Sequence, residues 1–297
     1  MHTALLFVAL GLVGASPENS VLKQLIEQGV PVGDGTFVKL PLPTVADNLD
    51  AAPQQAILQR IAAPHRRVAD LVRKSVVSPF VLKLGDASTS DSKRPFRTID
   101  AWFIAYGRLE LFSREEFLKK LVETAESGKK SRLPFTKGVL KPEEIRQLGL
   151  YTEDTPDQMQ RFFFSTFDLF GRVLVTVTRR VVVTKYPDSV LVAAIVDPRF
   201  TKSPTHPNRW QSVSRDDGDQ FKLGPPQPYE SAGLYAKVTR LKEPTGALMI
   251  EYHHVFCEPE GWFSGSHLLS SKIPMVVQDA VRKLRRRLAE ADSHAEE

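Results

Sequence analysis

Few residues in this 297-residue chain combine the types and spacing that chemistry requires. Glu251 and His253 stand two apart in Ala247–Cys257, which reads as a strand, so their side chains share a face. A carboxylate beside an imidazole can move protons in acid–base catalysis, or can simply hydrogen-bond within a fold. His254 points to the opposite face from His253, so the two imidazoles cannot chelate one metal ion. Cys257 is the only cysteine and is expected to be a small buried hydrophobe. Its solitude excludes an intrachain disulfide framework and any multi-cysteine metal or iron–sulfur site. Ser264 is fourth rather than third in Gly261-Trp262-Phe263-Ser264-Gly265, so the run is no nucleophile elbow. The sequence has no P-loop, dinucleotide fingerprint, H-E-x-x-H or EF-hand pattern. We therefore expect no catalytic residue, no metal and no cofactor.

The residue that stands out is Arg179. It interrupts a row of valines at alternate positions, Val173, Val175, Val177, Val181 and Val183, on one face of a strand-like segment. A guanidinium on an apolar face must find a partner, because unpaired burial of a charge is costly. That partner is an anionic ligand head group or an internal carboxylate such as Asp168 or Glu251. Otherwise a bulge turns Arg179 outward.

The elements that position these residues follow from periodicity. Val and Thr dominate 172–185, 189–196 continues after the Tyr186-Pro187-Asp188 turn, and 230–241 and 247–257 flank Glu243-Pro244-Thr245-Gly246. Successive strands joined by tight turns predict an antiparallel sheet. Further strands are expected at 79–84, 98–106 and 210–214, with 160–170 aromatic-rich. Helices are expected at 21–28, 54–62 and 66–74, at 113–126 with Ser113 and Glu116 as a capping box, and at 142–148. Residues 272–291 form a closing helix with Val277, Val281, Leu284 and Leu288 on one stripe. One apolar sheet face needs a cover, and this helix is the candidate.

Residues 4–13 are uniformly apolar and are followed by Gly14, Ala15 and Ser16, the layout of a secretory signal peptide cleaved after Ala15. The chain then divides into 1–15, an N-terminal helical and irregular segment 16–75, and a main domain 76–297. A periplasmic or secreted location is expected. The formal charge of +5 is concentrated in two groups, Arg66, Arg67, Arg73 and Lys74, and Arg282, Lys283, Arg285, Arg286 and Arg287. The second group is a solvated helix face, or a transient membrane-surface contact through Arg282, Lys283, Arg285 and Arg286. Nucleic acid is not an expected partner of an exported chain.

The order of the last elements resembles a known family. Two long strands, then Glu258-Pro259-Glu260-Gly261-Trp262-Phe263, then Ser271-Lys272-Ile273-Pro274 opening a long helix, is similar to the START and Bet v 1-like superfamily of lipid-transfer proteins, ligand carriers and aromatic cyclases. Pro274 suits the first turn of such a helix. The resemblance implies an α+β helix-grip fold, a curved antiparallel sheet packed on a long C-terminal helix, preceded here by an N-terminal helical segment. It also implies an apolar cavity between sheet and helix that holds a lipid or other hydrophobic small molecule. Arg179, Val177, Val181, Tyr252, His254, Trp262, Val277 and Val281 would line it. A cyclase or hydrolase using the same cavity, through Glu251, His253 or Arg179, and an envelope interaction domain without a cavity are the alternatives.

Overall fold

The structure is a computed structural model that describes residues 18–32, 35–63, 67–87, 96–125, 136–215, 220–259, 262 and 268–293. The expected signal peptide and the Gly261–Gly265 turn, apart from Trp262, lie outside them. The chain begins with α1 (Ser20–Lys23), which runs into a wider turn at Gln24–Gln28. Gly29 ends it at φ 91°, and a Cβ there would meet the Val38 carbonyl oxygen at 2.8 Å. Two short strands, β1 (Val30–Pro31) and β2 (Phe37–Val38), pair with each other. Helices α2 (Ala51–Ala62) and α3 (Val68–Leu71) follow.

The body is an eleven-stranded sheet in which every pairing is antiparallel. It opens with β3 (Val81–Ala87) and β4 (Phe96–Tyr106). Helix α4 (Glu115–Ala125) comes next. It starts later than the capping box predicts: Ser113 lies in a 3₁₀ turn, where its hydroxyl donates to the Glu110 carbonyl at 2.9 Å. After β5 (Lys137–Val139) and α5 (Pro142–Gln147) come three consecutive strands, β6 (Gln158–Leu169), β7 (Val173–Lys185) and β8 (Ser189–Val196). Then come β9 (Arg209–Arg215), β10 (Phe221–Leu223), β11 (Gln227–Pro228), β12 (Ala232–Arg240) and β13 (Ala247–Cys257). The central order is β7-β8-β12-β13-β4-β3. The long helix α6 (Leu268–Ser293) closes the chain. It begins before Pro274, which therefore sits inside it rather than at its first turn.

This is the helix-grip arrangement, α+β with a curved antiparallel sheet held against the C-terminal helix. On the inner face, Val281 and Leu288 of α6 pack with Phe103, Leu248, Ile250, Val238 and Val183. The opposite, outer face is covered as well. Val21, Leu25, Val30, Val32 and Leu40 pack on Val182, Leu191, Ala193, Ile195, Tyr235 and Val255. Ile57, Leu58 and Leu71 pack on Ile104, Leu241 and Met249. The molecule thus has three layers where the periodicity asks for two. The outer face reads as half polar because its polar side chains bond to the covering segment.

Candidate functional site

Register places Arg179 in the inner face. It pairs with Phe163 on one side and Val196 on the other, without a bulge, so the valine row and the arginine stay on one face. Neither candidate carboxylate reaches it. Glu251 lies on the outer face, and Asp168 accepts from the Gly171 N–H at 2.8 Å. Among the described residues Arg179 has no hydrogen bond and no ion pair; its close contact is the Phe167 ring, 5.6 Å from the guanidinium carbon to the centroid.

The surroundings are apolar and aromatic. His254 packs on Tyr252 at 5.9 Å and on Phe256 at 5.3 Å between ring centroids. Trp262 stacks on Tyr229 at 5.6 Å and meets Trp210 edge-on at 6.0 Å. Val177, Tyr252, Trp262 and Val277 belong to one apolar cluster, and Val181, Val277 and Val281 to the neighbouring one. The structure therefore brings all eight residues singled out in the sequence to the helix side of the sheet. Burial pushes the His254 imidazole down to about 3, and the nearby Arg179 charge pushes it the same way. Burial pushes the Tyr252 hydroxyl up to about 12, with Arg179 opposing. Both groups are neutral at physiological pH and can donate hydrogen bonds without bringing charge.

Side-chain size in the middle of this face is small. Ala101, Ala194, Ala232 and Ala236 occupy the strands beside Tyr252 and His254. In the same region Arg179, Val181, Val192, Leu234, Ala236, Tyr252 and His254 are only half-buried, although they lie on inner strands beneath α6. On either side, Ile250, Val238 and Val190, and Phe256 and Val196, are buried.

Glu251 and His253 have a third partner that spacing alone does not reveal. Asp100, more than 150 positions earlier, meets the His253 Nδ1 at 2.6 Å, and the Glu251 Oε2 lies 3.6 Å from Nε2. Burial alone would lower the His253 value, but these two carboxylates outweigh it and raise it above the ordinary imidazole range. Glu251 also accepts the Thr44 N–H at 2.7 Å, and Trp102 donates to the Thr44 hydroxyl at 3.1 Å. Glu251 and His253 are buried under the covering segment and Asp100 is partly exposed, all on the face opposite Arg179. The two sets of residues cannot serve one cavity. His206 packs on Phe164 at 4.4 Å and lies 3.4 Å from Glu144, away from both. Cys257 is buried, as a small hydrophobe would be. Among the described residues no three His, Cys, Asp or Glu side chains are arranged to hold a metal ion.

Arg285 departs from its expected place on a membrane-facing surface. It is 5% exposed, and its guanidinium donates to the carbonyls of Ile104, Val76, Ser78 and Pro79. Lys283 pairs with Asp279 at 2.8 Å. Only Arg282 and Arg286 of the expected quartet remain as surface cations without an ion-pair partner among the described residues. No described helix is long and apolar enough to cross a membrane.

No family model matches the chain, and no curated protein matches it in sequence. Among solved structures, the crystal structure of human STARD10 is similar over 89% of this chain and 88% of that one, with 10% identity and a TM-score of 0.33. The helix-grip description rests on the strand order and the α6 packing given above.

Proposed function

We propose that the protein is a non-enzymatic carrier that holds one hydrophobic molecule, a lipid or similar amphiphile, in a cavity between the inner face and α6. The observation that carries this reading is Arg179. A guanidinium among valines and aromatic rings, without a carboxylate or hydrogen-bond acceptor from the described residues, is suited to an anionic head group. The alanines of the central strands and the half-buried side chains around them would give the apolar tail its room, in a site of mostly apolar walls and few polar anchors. His254 and Tyr252, both neutral, would add hydrogen bonds to the head group.

The reading includes export. The apolar run at 4–13 and the small residues after it support cleavage after Ala15. Such a cut leaves Asn19 in place, whose buried amide donates to the Val182 carbonyl and the Thr184 hydroxyl at 3.0 Å each.

Native mass spectrometry of protein purified from its own compartment, followed by lipid extraction, tests both parts. A co-purifying acidic amphiphile that is lost in Arg179→Gln, on a chain beginning at Ser16, is the expected result. An apo mass together with a solidly filled interior in an experimental structure would overturn the carrier reading and favour an interaction domain.

A further inference from the structure

We propose that a cleft between α6 and the segment following α3 binds a phosphoryl dianion, held by Arg73, Arg282 and Arg285. This goes beyond the carrier reading, since none of the eight inner-face residues except Val281 borders the cleft. The cleft encloses about 400 Å³, and besides the three arginines its walls include Asp70, Ser78 and Gln278. Three guanidinium groups against one carboxylate leave it net cationic, 3 − 1 = +2. The carboxylate is itself engaged, with Asp70 3.2 Å from Arg67.

The arginines differ in a way that suits a binding site. Arg285 is immobilised by four backbone carbonyls, all neutral, so its position is fixed while its charge is left uncompensated. Burial draws its pKa down to about 10. Arg73 is exposed and Arg282 half-buried, and neither has an ion-pair partner among the described residues. The four carbonyls leave Arg285 one free Nη2–H and its charge to offer an anion, while the guanidinium forks of Arg73 and Arg282 can meet phosphoryl oxygens in pairs.

Apolar residues border the site. Val77 lines the cleft at 61% exposure, and Met275, at 62%, precedes Gln278 and Arg282 on the same stripe of α6. The phosphoryl group can therefore arrive in solution or at the head of a phosphomonoester lipid, with Val77 and Met275 against the bilayer in the second case.

The full chain is tested at constant ionic strength in two arms. One titrates inorganic phosphate and follows the arginine Nε–H resonances and the melting temperature. The other measures sedimentation with phosphatidylcholine vesicles, with and without phosphatidic acid. A saturable response to phosphate that chloride does not reproduce, or vesicle binding that requires phosphatidic acid, is expected. R73Q/R282Q should weaken it by ~10-fold or more, the usual loss when charge-assisted contacts are removed. R286Q, an exposed arginine outside the cleft, should leave it unchanged. A response in the phosphate arm alone identifies a soluble phosphomonoester; a response in the vesicle arm identifies the lipid. Should R73Q/R282Q not fold, Gln278→Glu, which adds a carboxylate to the exposed wall, must weaken binding instead. Silence in both arms, or equal loss in R286Q, overturns the proposal.

Discussion

The two faces of the central sheet solve opposite problems with the same strands. The outer face carries ionisable side chains, and each one named here is tied down. Glu251 takes the Thr44 N–H, Lys237 donates to the Val45 carbonyl at 2.8 Å and pairs with Asp47 at 3.0 Å, and Tyr235 donates to the Pro41 carbonyl at 2.9 Å. On the inner face the outlying cations are paired, Arg161 with Glu115 and Asp154 at 2.8 Å each and Arg97 with Glu258 at 2.8 Å, whereas Arg179 between them has no ion pair among the described residues. Charges bonded on every side fix one arrangement of chain on chain, whereas an untied charge in apolar surroundings raises the energy of the empty state and lowers that of a state with an anion present. The outer face is closed by its covering segment, and on the carrier proposal the inner face is the one open to a ligand.

The largest loss of stability is expected from removing the outer cover. A chain starting at residue 50 loses Val21, Leu25, Val30, Val32 and Leu40, all buried. At about 1.5–3 kcal/mol each, their loss matches the whole stability of an ordinary domain, about 5–15 kcal/mol. Far-UV and near-UV circular dichroism of that truncation should show an unfolded or molten chain.

A gentler probe is Gly233, over which the cover passes closely: a Cβ there would meet Val30 Cγ2 at 2.4 Å and Leu25 Cδ2 at 2.5 Å. Leu25→Ala should cost about 2–5 kcal/mol and Gly233→Ala about 1–3 kcal/mol in urea denaturation. Together they should cost less than their sum, because the space left by Leu25 admits the new methyl. Strict additivity would mean that the close approach is not the constraint.

Arg179→Leu should do the reverse of an outer-face mutation. With no partner to strand among the described residues, the ligand-free protein should be unchanged or about 1 kcal/mol more stable, while any anionic ligand is lost. A marked loss of stability would show that Arg179 has a structural role.

The smallest effect, and the sharpest contrast, lies in the adjacent histidines. The His253 value is raised in the fold, so its contribution is complete below the unfolded value of about 6.5 and fades as pH rises through the folded one. The His254 value is lowered to about 3, so the unfolded chain takes up its proton first, and stability falls as pH drops from about 6.5 towards 3. Imidazole NMR titration should find His253 still protonated above pH 6.5 and His254 neutral down to the acid limit. His253→Gln should flatten the alkaline loss and His254→Phe the acid one. Matching titrations of the two rings would remove the distinction between the faces.

Much of this was legible in the chain itself. Ser189–Val196 and Ala247–Cys257 are strands at the bounds that residue pattern predicts, and the alternation that puts His253 and His254 on opposite faces, and Arg179 among valines, survives in the register. Those are properties of neighbours in sequence, and a period of two is enough to reveal them. What no local pattern could supply is who meets whom. Asp100 beside His253, Thr44 beside Glu251 and Arg285 turned inward to four carbonyls all join residues 153 or more positions apart. Local residue pattern is enough for these strands, their two faces and Arg179 between valines. Only the folded chain shows that the described residues among 18–32, 35–63 and 67–71 close the outer face and that none of the described carboxylates pairs with Arg179, because partners brought together by strand order and layer packing leave no periodic trace in the chain.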